Sequence, residues 1–273
     1  LVHNKYNIKK HIQQPFNERY FNEYQNLHIY LNLDNRLKLF SPNDLKVVVL
    51  QNNNWQTSLF IDRPTIYRGN YYEYSDESIT ALPAAKEWRW IDLRSYRLLS
   101  DRMVRIENVK DTPHVYVKPD ASRTSQVYLY YRDLNGSYVL ETFENINPFW
   151  QTDYAYVHFT YFPLGNKAFE GKDVYLFGEF TNYAANESGR MTFNEDRGAY
   201  EKTLYLKQGF YNYLYVTLPQ HTQGYPDFSQ TEGNYWGTEN SYSILVYYRP
   251  FGARADELIG FASLNSIFQR TGF

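Results

Sequence analysis

The sequence predicts an all-β chain folded as two consecutive β-sandwich domains, and three observations carry that reading. Apolar and polar residues alternate at period two in one stretch after another, the pattern of half-buried strands. Aromatic residues make up 19% of the chain, with 29 Tyr and 18 Phe, types that pack well on a pleated surface and hold the mean hydropathy down to −0.64. A long amphipathic helix is missing: the one candidate, Asp256 with Leu258, Phe261, Leu264 and Phe268, is outweighed by a final strand over 258–262. At 273 residues the chain is long enough for two ordinary domains, each with its own core.

The first clear strand is LHIYLNL, where Leu27, Ile29, Leu31 and Leu33 share one face and His28, Tyr30 and Asn32 the other. Further strands are expected over 45–51, 88–93, 103–107, 114–118, 126–132 and 138–142. The last two flank Leu134-Asn135-Gly136, and Asn-Gly between alternating runs signals a hairpin. The segment ENINPFWQTDY breaks the pattern with Asn147-Pro148, which places a boundary between domains at 1–149 and 150–273. Strands resume over 156–162, 174–180, 198–206, 210–218 and 243–248, at the spacing a sandwich requires. The stretch 222–240, rich in Gly, Asn and Ser, reads as a long loop, and loops of that length usually serve a role.

Composition narrows the function. Lys plus Arg total 28 against 30 Asp plus Glu, without the basic excess that nucleic acid demands. Arg94, Arg97, Arg102 and Arg105 are interleaved with Asp92, Asp101 and Glu107 and read as a solvated surface of mixed sign. With no cysteine there is no disulfide, thiol nucleophile or cysteine metal site. No run approaches the ~18 apolar residues of a membrane helix, and the start at Leu1 without a recognisable signal peptide points to a processed form or a fragment.

No catalytic constellation stands out. G-x-S-x-G and phosphate-cradling glycine motifs are missing. The six histidines show no H-E-x-x-H or H-x-H pairing, so a metal site would have to be assembled by folding, and His158 reads as an ordinary sheet-surface residue. Asp133-Leu134-Asn135-Gly136 opens like a calcium loop but lacks the closing Glu, and turn chemistry explains it better. Glu179 has no partner carboxylate in sequence with which to hydrolyse a glycoside. The chain is therefore expected to be no enzyme and to need no cofactor.

The aromatic residues carry the binding hypothesis. In FYNYLYV, Tyr211, Tyr213 and Tyr215 share one face and Phe210, Leu214 and Val216 the other, so the tyrosines either fill a core or form an exposed stripe. Trp236, between Gly233 and Gly237 in the long loop, either anchors a partner or folds back on the sandwich.

Two resemblances add to this reading. VYLFGEFTNY and RMTFNEDRGAYEKTLYLKQGFYNYLYV resemble the early-set immunoglobulin-like sandwich of glycogen- and starch-binding modules, except that Tyr183 replaces the platform Trp and Thr217-Leu218-Pro219 replaces the following Asp-Gly turn. More extensively, LKVVVLQNNNW, EWRWIDLRSYRL and TEGNYWGTENSYSILVYYRPFGARADELIG look like the plug protein family of the type IX secretion system, with Ala255 where that family usually has an aromatic. That resemblance implies two immunoglobulin-like sandwiches, the first residues being a linker from a further N-terminal domain. It also implies a non-enzymatic periplasmic protein at the periplasmic face of the outer membrane, stopping the pore of a large β-barrel translocon. The residues expected to touch the barrel are Tyr235, Trp236, Tyr242 and Arg254. The alternatives are a carbohydrate-binding module of the glycogen type and a protein that docks through a sheet edge.

Overall fold

The computed structural model describes residues 7–33, 39, 41–147, 150–222 and 224–267. These form strands β1 (Asn7–Gln13), β2 (Tyr24–Asn32), β3 (Leu45–Gln51), β4 (Leu59–Ile61), β5 (Ile66–Arg68), β6 (Tyr71–Tyr74) and β7 (Ala81–Pro83). There follow β8 (Arg89–Asp92), β9 (Met103–Val109), β10 (Thr112–Val117), β11 (Asp120–Ala121), β12 (Tyr138–Leu140) and β13 (Tyr154–Phe162). The last are β14 (Lys172–Phe177), β15 (Thr192–Asn194), β16 (Ala199–Lys207), β17 (Gly209–Pro219), β18 (Ser241–Tyr248) and β19 (Glu257–Asn265). The α-helical content among the described residues is one turn, Glu77–Thr80, and no helix there is long and apolar enough to cross a membrane. The expected all-β sandwich fold is what the chain adopts.

The chain divides into two compact units, but not consecutively. Unit one joins Leu1–Lys86 to Asn234–Phe273, and unit two is the intervening Glu87–Gly233. The division expected at 149/150 therefore falls inside unit two. The polar segment around Asn147 is a crossing between strands of one sandwich, because β13 beyond it pairs with β10 before it, and β17 pairs with β8 and β12. Alternation fixes which face of a strand is buried and leaves its partner open.

Unit one packs a sheet of order β1-β2-β6-β5, with β7 also on β2, against a sheet of order β19-β18-β3-β4. Leu27, Ile29, Leu31 and Leu33 are buried as their alternation predicts, and they share one core with Val47 and Val49 of β3 and Ile244 and Val246 of β18. Strand β18 comes from the far end of the chain and pairs with β3 from Tyr242↔Gln51 to Tyr248↔Leu45. The expected last strand is present as β19, so the helical alternative over 256–268 is excluded within the described residues; Phe268 lies outside them.

Unit two packs β15-β16-β13-β10-β9, with β11 beside β13, against β12-β17-β14 with β8 also on β17. The pairings β10 with β13 and β11 with β13 are parallel, the rest antiparallel. Its core includes Val115, Val157, Phe159 and Tyr161 from one sheet and Ile91, Leu176, Tyr213 and Tyr215 from the other. Strand β17 is buried on both faces, so the stripe Tyr211, Tyr213 and Tyr215 is core, with Tyr215 stacked on Tyr161 at 4.5 Å.

One strand expectation fails and another is shortened. Residues 126–132 form no strand, and Val127 is 94% exposed, because the alternating run finds no core to face. Tyr128 bonds the Glu87 carboxylate and Tyr131 the Glu87 carbonyl, which hold the segment as irregular chain. The Asn-Gly turn is real, with Asn135 at φ 53° and Gly136 at φ 85°, but it leads into β12, whose partner is β17. The strand expected over 174–180 ends at Phe177, where Gly178 opens a single 3-10 turn, Glu179–Thr181.

Candidate interaction surface

Folding treats the four residues expected to meet a partner very differently. Tyr242 is not on the surface at all: it is fully buried, donates its hydroxyl to Gln25 Oε1 at 2.7 Å and accepts from Gln51 Nε2 at 3.2 Å. Its inward position on β18 follows from alternation with Ile244 and Val246, so its role is in the core. Tyr235 is 36% exposed, with its N–H on the Ala85 carbonyl. Trp236 is half-buried, tied through its N–H to the Asn22 carbonyl and through its own carbonyl to Gln25 Nε2. Arg254 is exposed in the β18–β19 loop. It lies at the other end of β18 from Tyr242, about 20 Å away at the rise of a strand, so the four do not form one patch.

A larger feature lies on the outer face of unit two. The outward face of β13 carries Tyr154, Tyr156 and His158 at alternate positions. Parallel β10 sets His114 beside Tyr156 and Tyr116 beside His158, and β9 adds Glu107 and Arg105 in the next row. On the other flank β16 sets Lys207, Tyr205 and Thr203 against the same three residues of β13. The rings form an unbroken run of contacts. Tyr154 stacks on Tyr205 at 5.1 Å, Tyr205 meets Tyr156 at 4.9 Å, and Tyr156 meets His114 at 5.0 Å. His114 stacks on His158 at 5.2 Å, His158 on Tyr116 at 4.4 Å, and the Arg105 guanidinium covers Tyr116 at 3.7 Å.

This ladder crosses four strands and stays open to solvent, with Tyr154, Tyr156 and Tyr205 at 45%, 41% and 56% exposure. Because the rings lie against one another, each is partly covered by its neighbours, and His114 Nδ1 and His158 Nε2 are hydrogen-bonded at 3.0 Å. A sugar platform needs the reverse, an open ring face. A row of packed, half-exposed tyrosines instead offers large, nearly rigid contact area with hydroxyls able to hydrogen-bond, which suits a protein partner. The signal in sequence was the alternation Tyr154-x-Tyr156-x-His158. The ladder also needs the register of β10 and β16, which no local pattern supplies.

The position that matches the sugar platform is closed. Tyr183 is 8% exposed, lies edge-on to Trp88 and Phe177 at 6.1 and 6.0 Å, and donates its hydroxyl to the Asn135 carbonyl at 3.3 Å. Glu179 accepts the Tyr138 N–H at 3.1 Å, and Asp133 accepts the N–H groups of Trp88 and Asn135 at 2.6 and 2.7 Å. Both carboxylates serve the backbone here, the turn role expected of Asp133.

Behind the ladder's sheet lies a buried ionic network. Arg89 clasps Glu232 through Nε and Nη2, both at 3.0 Å, and reaches Asp120 through Nη1 at 2.7 Å. Arg123 Nε donates to Glu232 at 2.6 Å, while the Tyr213 and Tyr215 hydroxyls donate to Asp120 at 2.8 and 3.0 Å. Arg102 also bonds Asp120. Desolvation would raise the Glu232 carboxyl, but Arg123 and Arg89 hold it down at about 2. The mixed-sign surface expected for this stretch holds for Arg94 with Asp92 and Arg105 with Glu107, whereas Arg102 turns inward.

The histidines of the outer faces predict a dependence of stability on pH. Burial lowers the affinity of His158 for a proton, and His114 beside it lowers it further. On unit one His11 stacks on His28 at 4.9 Å; burial lowers both, and His11 adds to the effect on His28. Groups whose folded pKa lies below the unfolded 6.5 bind protons more readily unfolded, so their contribution is complete above that value and is lost as pH falls. The urea midpoint is expected to drop between pH 7.5 and 5.5. His158→Gln should flatten part of that slope; an unaltered slope would place its origin elsewhere.

Comparison with known proteins adds a fold relative without a function. No protein-family model matches the chain, and no curated protein does. A solved structure, described as a hypothetical protein from Parabacteroides merdae ATCC 43184, matches with a TM-score of 0.89 and 29% sequence identity. The match covers 97% of this chain and 66% of that one, so this chain spans about two thirds of that protein's length. The all-β sandwich fold is thus kept in a chain that differs at about seven aligned positions in ten.

Proposed function

We propose that the chain is a non-enzymatic periplasmic plug, seated at the periplasmic face of the outer membrane, that binds and occludes the β-barrel translocon pore of the type IX secretion system. The sequence blocks that resemble the plug family support it, and the aromatic ladder of unit two carries it structurally. Occlusion asks for a stiff body with a broad face that grips protein. Packed, half-exposed tyrosines on a four-strand surface, backed by a buried ionic network, meet that need without any reacting group. Unit one would contribute Tyr235, Trp236 and Arg254, its accessible residues from the block most specific to the family. The closed position of Tyr183 speaks against the carbohydrate-binding alternative.

The test is affinity isolation from outer membranes with the tagged chain. A very large β-barrel should be recovered with the native sequence. Combined Tyr154→Ser, Tyr156→Ser and Tyr205→Ser should cut recovery about tenfold or more, since buried aromatic anchors dominate interfaces, while the urea midpoint stays near the native value. Recovery of no barrel, or cells lacking the protein that keep their envelope as tight as before, would remove the plug reading. Saturable quenching by soluble α-glucans would restore the glycan one.

A further inference from the structure

The buried network opens at one side into a cleft of about 300 Å³. Its walls include Arg102, Arg123, Asp120, Gln126, Trp90 and Tyr131, all within unit two. Within the ion-paired network itself the charges are uneven. Three guanidiniums, of Arg89, Arg102 and Arg123, face two buried carboxylates, those of Asp120 and Glu232. Glu232 is fully committed to Arg89, Arg123 and the Tyr215 N–H. Asp120 spends one oxygen on Arg89 and Arg102 together and the other on two tyrosine hydroxyls.

Arg102 is the least compensated of the three. It shares an oxygen that Arg89 already occupies, its Nε is shut from water with no acceptor, and a quarter of its side chain stays open to the cleft. A poorly compensated guanidinium in a partly desolvated cleft is strongly attractive to an anion, and its planar donor edge matches a carboxylate. Beside it the Trp90 ring lies 5.9 Å from the Arg102 guanidinium and edge-on to Tyr131 at 5.1 Å, a flat wall for an apolar group.

We infer that this cleft binds a carboxylate carried on an aromatic or apolar group, seated against Arg102 with its ring along Trp90. Such a group is offered by a small aromatic acid or by the free C-terminus of a chain ending in an aromatic residue. The inference is independent of the plug reading.

Calorimetric titration of the intact chain with benzoate, benzamide and inorganic phosphate tests it. Benzoate should bind saturably at one site, benzamide should give no saturable heat, and phosphate should bind more weakly than benzoate. Arg102→Gln should weaken benzoate by about tenfold or more, the weight of a charge-assisted bond. A short peptide ending in phenylalanine, with free and with amidated C-terminus, separates the two sources: the free form binding tighter than benzoate assigns a chain terminus, the reverse a small acid. The inference falls if benzoate gives no saturable heat at millimolar concentration, if benzamide matches it, if phosphate exceeds it, or if folded Arg102→Gln binds it unchanged. Should that variant fail to fold, the benzoate and benzamide pair on the native chain decides alone.

Discussion

Replacing Glu232 by alanine is expected to lower the unfolding free energy of unit two by about 3–5 kcal/mol, the range for removing one partner of a buried ion pair. The side chain is 0% exposed and accepts from Arg89, Arg123 and the Tyr215 N–H, so its loss leaves Arg89 with Asp120 as its one carboxylate, takes from Arg123 the carboxylate it pairs with, and strands the Tyr215 N–H. Urea denaturation followed by far-UV circular dichroism reads the change. A loss below about 1 kcal/mol would mean that water enters and satisfies the arginines. The same residue shapes the acid limb. Its folded carboxyl sits at about 2 against an ordinary 4.5, so it binds protons more readily unfolded. Its contribution is complete above pH 4.5 and drains as pH falls toward 2, worth about 3 kcal/mol in all. Glu232→Gln should remove that steep acid limb and leave the histidine-linked slope above pH 5 intact, which separates the two origins.

The network also marks where sequence reading stops. Alternation showed that Leu27, Ile29, Leu31 and Leu33 share a buried face, and it marked β13, β16, β17 and β18, because burial imposes period two wherever a strand covers a core. It did not choose partners. Strand β18 joins β3 across 191 residues between Gln51 and Tyr242, and that pairing reveals unit two as an insertion. Tyr242 stands in the run that carries the sequence resemblance, yet its place is set by core bonds to Gln25 and Gln51. Asp120, Glu232 and Arg89 each look like ordinary surface charges in their local context. Their separations of 31 and 143 residues put the ion pairs beyond any local signal. The ladder was half legible, since β13 displays its rows while the histidine contact depends on the parallel register with β10.

Gly136→Ala is expected to destabilise unit two by about 3 kcal/mol, from two separable causes. The backbone there has φ +85°, a region that costs an L-residue about 1–2 kcal/mol. A Cβ would also lie 2.6 Å from the Trp88 ring, and forcing a bulky neighbour off its site costs about 1–3 kcal/mol more. Gly171→Ala supplies the control within the same unit, with φ +64° and nothing within 4 Å of the added carbon, so it should show the backbone cost alone. The difference between the two urea midpoints then isolates the ring contact. Trp88 is the ring that stacks on Phe177 and meets Tyr183 edge-on, so this turn holds the wall that covers Tyr183. If Gly136→Ala loosens that wall, near-ultraviolet dichroism from Trp88 should weaken while α-glucans still fail to bind, because an uncovered Tyr183 offers one phenol where a platform needs a broad open face. Glucan binding gained by this one substitution would show instead that the scaffold kept its sugar site and merely shut it.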